Sequence, residues 1–277
     1  MTGARQLRIL ACQIEIPPMT TAAERDRHLA ATADQVRAAL RETPADLVVL
    51  PELASMDYAR ASFDRLDQLA EPLEGASFHT WSALARDLGV HVLYGFARRE
   101  GDRHFISVAA VDAKGALIGH YDKLHLAQFG ASMEKEYFSR GSRLLILDVC
   151  GFRLAPVICY DIRIPELSRA LAVGHGVDAI LHCGAYFRDA SFHSWHAFVT
   201  TRAIENQCYV LSLNRAGADY GHSILCRPWQ DGATPPTVFP EHRAAMVLLR
   251  LDRDEIAAAR AQYSFLRDRL ESYDLPC

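Results

Sequence analysis

Apolar and polar residues alternate between two periods along this chain, and the switches mark its elements. Leu7 to Ile14 reads as a strand. Thr21, with Glu24 three residues on, has the spacing of a helix-opening capping box, and Leu29, Ala33, Val36 and Leu40 give that helix a buried face. The apolar run Asp46 to Leu50 predicts a strand leading to Glu52. A helix follows from Ser77 to Leu88, with Phe78, Trp81, Leu84 and Leu88 on one side and Gly89 as its stop. Strands are predicted at His91 to Ala97, His104 to Val111 and Ala116 to Tyr121, the last two joined by the turn Asp112-Ala113-Lys114-Gly115. Leu144 to Val149 and Phe152 to Ile158 form a further pair around Cys150-Gly151. After Cys159 the pattern turns helical, with Pro165 in the first turn, Leu167, Ala170 and Leu171 as an apolar stripe and Gly174 as the stop. Strand Asp178 to Cys183, a helix from Ser191 to about Asn206, and strands Cys208 to Asn214, His222 to Cys226 and Ala245 to Leu251 come next. Asp252 caps a last helix through Ala261. Helices separated by pairs of strands imply an α/β fold with a mixed sheet layered by helices.

Composition narrows the class. The 277 residues are 50% hydrophobic and 23% charged, an ordinary globular balance, and no Pro/Gly/Ser-rich linker divides them. A single domain over 1–277 is expected, with its core at about 7–262 and a C-terminal tail at 263–277. A net charge of -4 gives no footprint for nucleic acid or an anionic membrane. No signal-peptide pattern or membrane-spanning apolar run is visible. The seven cysteines (Cys12, Cys150, Cys159, Cys183, Cys208, Cys226 and Cys277) form no CxxC pairs, which favours reduced thiols in a cytoplasmic protein over a disulfide framework or zinc.

Three polar residues change the picture further. Cys159 ends the apolar strand at Ile158 and precedes a helix, whose N-terminal amides would favour thiolate over thiol. Glu52 ends the strand that begins at Asp46, and Lys123 ends the strand that begins near Ala116. In open α/β sheets, reactive groups gather beyond the carboxyl ends of strands, so the three can converge in one crevice. Taken singly, each is more often a core filler or a solvated charge. Lysine is also scarce here: only Lys114, Lys123 and Lys135 occur among 30 Lys and Arg, which suggests a site needing a compact point charge. Its side chain is expected to face the crevice rather than the core. His193 and His196 share a helix face, but no third ligand at a recognisable spacing supports a metal site.

With these segments in view, the chain resembles the carbon-nitrogen hydrolase, or nitrilase, superfamily from about Leu7 to Tyr273. Pro51-Glu52-Leu53 is similar to the family's glutamate motif, Tyr121 to Leu126 to its lysine motif, and Val157 to Glu166 to its cysteine motif. Glu134 to Gly141, Arg202 to Val210, and Tyr220 to Ser223 leading to Pro228-Trp229 fit as well. The last three stretches resemble the omega-amidase and small aliphatic amidase branch. The resemblance implies a four-layer αββα sandwich, with two sheets face to face and helices outside. It implies a Cys159, Glu52 and Lys123 triad acting on a small linear amide through a thioester, with no metal or cofactor. The Tyr160 backbone N–H would share the oxyanion with Lys123. Glu134 aligns with the family's second glutamate, with Glu136 as a rival.

Tyr58, Tyr160, Tyr186 and Phe187 are expected at the substrate pocket. Arg163 and Glu166 would brace the turn as a charged pair. Arg188 could bind a substrate carboxylate, though an exposed loop position fits it better. The resemblance also implies a homodimer or higher oligomer, built through the helix after Cys159 and a tail whose Tyr263, Phe265, Leu266 and Leu270 have no obvious partner. Departures from the pattern leave the substrate open: Asp57 stands where a glycine is common, Ser194-Trp195-His196 replaces His-Trp-Glu, and Gln230 follows Pro228-Trp229. Hydrolysis of N-carbamoyl amines or amino acids, hydrolysis of nitriles, and a catalytically silent binding protein are the competing readings.

Overall fold

In the computed structural model, which describes residues 5–274, the strands are β1 (Gln6–Gln13), β2 (Leu47–Val49), β3 (His91–Glu100), β4 (Arg103–Val111), β5 (Leu117–Asp122), β6 (Leu147–Val149), β7 (Phe152–Ile158), β8 (Ala179–Cys183), β9 (Tyr209–Leu213), β10 (Ile224–Cys226), β11 (Thr237–Val238) and β12 (Ala245–Asp252). They form two six-stranded sheets, ordered β12-β1-β2-β3-β4-β5 and β11-β10-β9-β8-β7-β6. Each has a parallel centre, β1-β2-β3 in one and β7-β8-β9 in the other, flanked by antiparallel strands.

Alternation along the second sheet shows how the layers stack. Leu154, Ile158, Leu181, Cys183, Tyr209, Leu211 and Leu213 join the core that also holds the first sheet. Their neighbours Ala155, Val157, Ile180 and Val210 pack the other way, against Leu167, Leu171, Trp195 and Val199. Strands covered on both faces carry near-continuous apolar runs, as these do. The expected α/β sandwich is therefore the observed one.

The helices are α1 (Ala22–Glu42), two single turns α2 (Arg60–Phe63) and α3 (Leu66–Leu69), α4 (Ala76–Leu88), α5 (Pro165–Arg169), α6 (Phe192–Asn206), α7 (Arg253–Gln262) and α8 (Phe265–Asp268). The Thr21 hydroxyl accepts from Glu24 N, and the Glu24 carboxylate accepts from Thr21 N at 3.0 Å, so the capping box forms as its spacing predicts. Gly89 caps α4 in the left-handed conformation. On α4 the buried face is Ser77, Trp81, Leu84 and Ala85, whereas Leu88 is exposed, because it closes the final turn. No helix among the described residues is long and apolar enough to cross a membrane.

Three local expectations change. The predicted strand from Leu144 pairs only from Leu147, and the one from His222 only from Ile224, since His222 takes a φ of 65°. The helix after Cys159 is broken: a 3-10 turn spans Cys159–Arg163, Ile164 is extended, α5 follows, and a wider turn runs over Ala170–Gly174. In the tail, Tyr263 stacks on Trp229 with ring centroids 3.7 Å apart, so it has a partner in its own chain. Phe265, Leu270 and Tyr273 remain exposed. Cys277 and the last residues of the tail lie outside the described residues.

Candidate active site

Glu52, Lys123 and Cys159 stand just past β2, β5 and β7, and the sandwich brings those ends together. Backbone packing sets two of the approaches. A Cβ on Gly95 of β3 would fall 2.3 Å from the Pro51 carbonyl oxygen, and one on Gly141 would fall 2.1 Å from the Asp122 carbonyl oxygen. Only glycine allows the segments carrying Glu52 and Lys123 to lie so close to their neighbours. Leu53 and Cys159 take φ values of 48° and 43°, a left-handed region that costs a side-chain-bearing residue about 1–2 kcal/mol and is concentrated at functional sites.

Lys123 is wholly buried, with Nζ donating to Glu52 Oε1 at 2.8 Å and to Glu134 Oε1 at 2.6 Å, both carboxylates being wholly buried as well. The expectation that Lys123 faces an open crevice is thus corrected: it is the centre of a closed charge cluster. Glu134 also accepts from the Tyr58 hydroxyl at 2.8 Å and from Ala127 N at 2.8 Å. Its rival Glu136 is exposed and paired with Arg60. Asp161, buried, ties the lysine strand to the cysteine turn, accepting from Tyr121 Oη at 2.7 Å, from His125 N at 3.0 Å and from Ile158 N at 3.0 Å.

Burial pushes the Glu52 carboxyl up to about 7, against the pull of Lys123 and with a further push from Glu134. Burial alone would lower Lys123, but the charges of Glu134 and Glu52 overcome it and hold the ammonium well above its ordinary range. The Cys159 thiol is raised well above its usual value, by burial first and the Glu52 charge second, with Lys123 opposing. The expected preformed thiolate is therefore corrected to a thiol. Two nearby carboxylates and desolvation outweigh one ammonium and the amides of a five-residue helix. Glu52 Oε2 is buried with no hydrogen-bond partner, leaving it to receive a proton.

Cys159 opens onto a narrow cavity of 30 Å³ walled by Tyr58, Phe129, Tyr160, Arg163, Tyr186 and Asp189 among others, with Phe187 at its rim. All four aromatic residues expected at the pocket are on this wall. Tyr186 does more than wall it, since its hydroxyl donates to the Cys159 carbonyl oxygen at 2.9 Å and its ring stacks on Trp195 at 4.5 Å. A larger groove of 640 Å³ lies elsewhere, between α6 and the tail, and no cysteine lines it.

Arg163 was not expected here. The anticipated pair with Glu166 does not form among the described residues, because Arg163 closes the 3-10 turn while Glu166 lies in the first turn of α5 and faces solvent. Its guanidinium instead donates to Ser194 Oγ at 3.0 Å and Ser191 O at 3.2 Å, and no carboxylate lies within ion-pair distance of it among the described residues. Arg188 is paired with Glu241 at 3.2 Å, outside the cavity. Phe129, Asp189 and Arg163 are far apart in sequence, and no spacing signal could have assembled them. His196 hydrogen-bonds to the His222 carbonyl oxygen at 2.7 Å, and no cluster of three or more metal-type ligands occurs among the described residues.

The family model for carbon-nitrogen hydrolase matches residues 5–261. A hydrolase from the pqqF 5' region of Pseudomonas protegens is 31% identical over 99% of this chain and 93% of its own. The 2-oxoglutaramate amidase of Bacillus subtilis is 34% identical over 67% of this chain and 71% of its own. Saccharomyces cerevisiae Nit3, a member of branch 10 of the nitrilase superfamily, superposes with a TM-score of 0.81 at 23% identity, covering 94% of this chain and 95% of its own. Sequence match and fold lead to one conclusion: the chain belongs to the carbon-nitrogen hydrolase family.

Proposed function

We propose that this enzyme hydrolyses small linear amides by nucleophilic catalysis at Cys159. The observation that carries the reading is that the Cys159 thiol, which opens onto a narrow cavity, feels the charges of the buried Glu52, one of whose oxygens has no hydrogen-bond partner, and of the buried Lys123 ammonium. Sulfur attacks the amide carbon as the thiol proton passes to Glu52. Lys123 Nζ and the Tyr160 N–H hold the oxyanion, an interaction worth roughly 3 kcal/mol per donor in kcat. Glu52 then protonates the nitrogen, the carbon–nitrogen bond breaks and ammonia leaves a thioester. Water attacks that thioester with Glu52 as base, the carbon–sulfur bond breaks and the thiol regains its proton. Glu134 keeps Lys123 charged and in place.

The substrate class we infer is a small aliphatic amide carrying a carboxylate, such as an omega-amide of a dicarboxylic acid. Arg163 on the cavity wall, whose hydrogen bonds among the described residues go to serine oxygens and not to a carboxylate, supports it, as does the name of the Bacillus subtilis relative, 2-oxoglutaramate amidase. Ammonia release should be fastest for acid-bearing amides, and Arg163→Leu should raise KM for those while sparing uncharged amides. Carbon dioxide released together with ammonia from carbamoyl compounds, at a higher kcat/KM, would replace this reading with a carbamoylase. The six described cysteines are all free, which supports a reducing, cytoplasmic setting.

The pH profile follows from the raised Glu52. As the base it must be ionised, so kcat/KM should fall about tenfold per unit below pH 7, with an apparent pKa near 7 belonging to the coupled cluster. Cys159 and Lys123 are both raised, so no loss is expected up to about pH 9. A profile peaking in acid and falling above neutrality would contradict the assignment.

Self-association through the tail and the helix after Cys159 is proposed as well, where the end of α5, α6 and the tail line one groove. Phe265, Leu270 and Tyr273 are exposed around the 640 Å³ groove, surface that a second copy would cover. Light scattering at micromolar concentration should give at least a dimer, and a monomeric mass would rule this out.

A further inference from the structure

Behind the nucleophile lies a buried polar chain that the steps above leave unused. His182 on β8 is wholly buried and pairs in register with Val157 of β7. Its Nε2 lies 2.9 Å from the Cys159 carbonyl oxygen and its Nδ1 lies 2.7 Å from Ser212 Oγ. Trp195 Nε1 donates to the same Ser212 oxygen at 2.9 Å.

The direction of every hydrogen follows from these partners. A carbonyl oxygen only accepts, so Nε2 carries the ring hydrogen; in a neutral imidazole Nδ1 is then the acceptor. Ser212 fills Nδ1 with its hydroxyl hydrogen and takes the indole N–H on its oxygen. Each donor meets one acceptor, from Trp195 through Ser212 and His182 to Cys159. Burial lowers His182 to about 4, so the ring stays neutral and the chain keeps one direction across the working range.

What the chain grips is the peptide that joins Cys159 to Tyr160. A trans peptide is planar, so its C=O and its N–H point in opposite directions. Two donors on the Cys159 carbonyl, from His182 and Tyr186, therefore aim the Tyr160 N–H the other way. The grip falls on a residue whose φ of 43° is intrinsically disfavoured and must be held by its surroundings. We propose that His182 is a positioning residue, which with Tyr186 locks the Cys159–Tyr160 peptide so that the Tyr160 N–H faces the developing oxyanion. The inference rests on the amidase mechanism above and adds to it the group that orients one oxyanion donor.

The test compares His182→Leu, His182→Gln and Tyr186→Phe in ammonia release, iodoacetamide alkylation of Cys159 and melting temperature. His182→Leu should lower kcat about 30- to 100-fold, at or just below the ~10²-fold that outright loss of an oxyanion donor costs, and leave KM within about threefold. Alkylation forms no oxyanion, so its rate should stay within about threefold of wild type. His182→Gln keeps a neutral donor near the Nε2 position and should recover most of kcat. Tyr186→Phe, which removes one hydroxyl and keeps the stack on Trp195, should reproduce the kcat loss in part even if His182→Leu does not fold. The proposal is overturned if His182→Leu keeps more than about a third of kcat, if the Gln variant is as slow as the Leu variant, or if kcat and alkylation fall together. Failure of the amidase reading would look different, since the wild type itself would then release no ammonia from the amides offered.

Discussion

Cys159→Ala is expected to lower kcat at least about 10³-fold, more than ~4 kcal/mol, while the melting temperature stays within a few degrees of wild type. Cys159 lines the cavity rather than filling the apolar core, so its truncation leaves little void to destabilise the sandwich. Cys159→Ser should be nearly as slow. Proton transfer to Glu52 is matched to a thiol, and a hydroxyl at the same site is a far weaker acid and nucleophile. Ammonia release from an acid-bearing amide, measured beside a thermal melt, checks both halves. Retention of even a few per cent of kcat in Cys159→Ala would remove Cys159 from the chemistry.

Lys123 variants should lose both rate and stability. Lys123→Gln leaves Glu52 and Glu134 buried around no cation, and breaking a buried ion cluster from one side costs on the order of 3–5 kcal/mol. Part of that is relieved if Glu52 takes a proton, which removes the base. Lys123→Arg keeps the charge but must fit a planar fork into the 2.8 Å and 2.6 Å gaps that a single ammonium now spans. Both should lower kcat/KM by about 10²-fold or more, with a depressed melting temperature, most severely in Lys123→Gln. Arg at this position giving near wild-type kcat/KM would show that a general positive field suffices.

Much of this site was legible in the sequence, and the reason is local. Glu52, Lys123 and Cys159 each follow an apolar run directly, and a strand end is a place that spacing alone can locate. The Thr21-Glu24 capping box and the Gly89 stop are likewise short-range devices, complete within one turn. What stayed hidden depends on distance. Pairing of β12 with β1 joins Ala245–Asp252 to Gln6–Gln13, and no local pattern specifies it. The protonation of Cys159 turned first on burial and then on two carboxylates brought in from distant parts of the chain, which together reversed the effect expected from the helix start. Arg163 looked like half of a local charged pair until the extended Ile164 separated it from Glu166. His182 reads as one polar residue in an apolar strand, and only its partners Ser212 and Trp195 give it a role.

The measurement that bears most directly on the central claim is a timed reaction with iodoacetamide, followed by peptide mapping of every cysteine and assay of ammonia release on the same samples. The account predicts that activity falls in proportion to the fraction of Cys159 alkylated, that an acid-bearing amide slows both together, and that modification of the exposed Cys150 has no effect. Enzyme fully alkylated at Cys159 that still releases ammonia would contradict it.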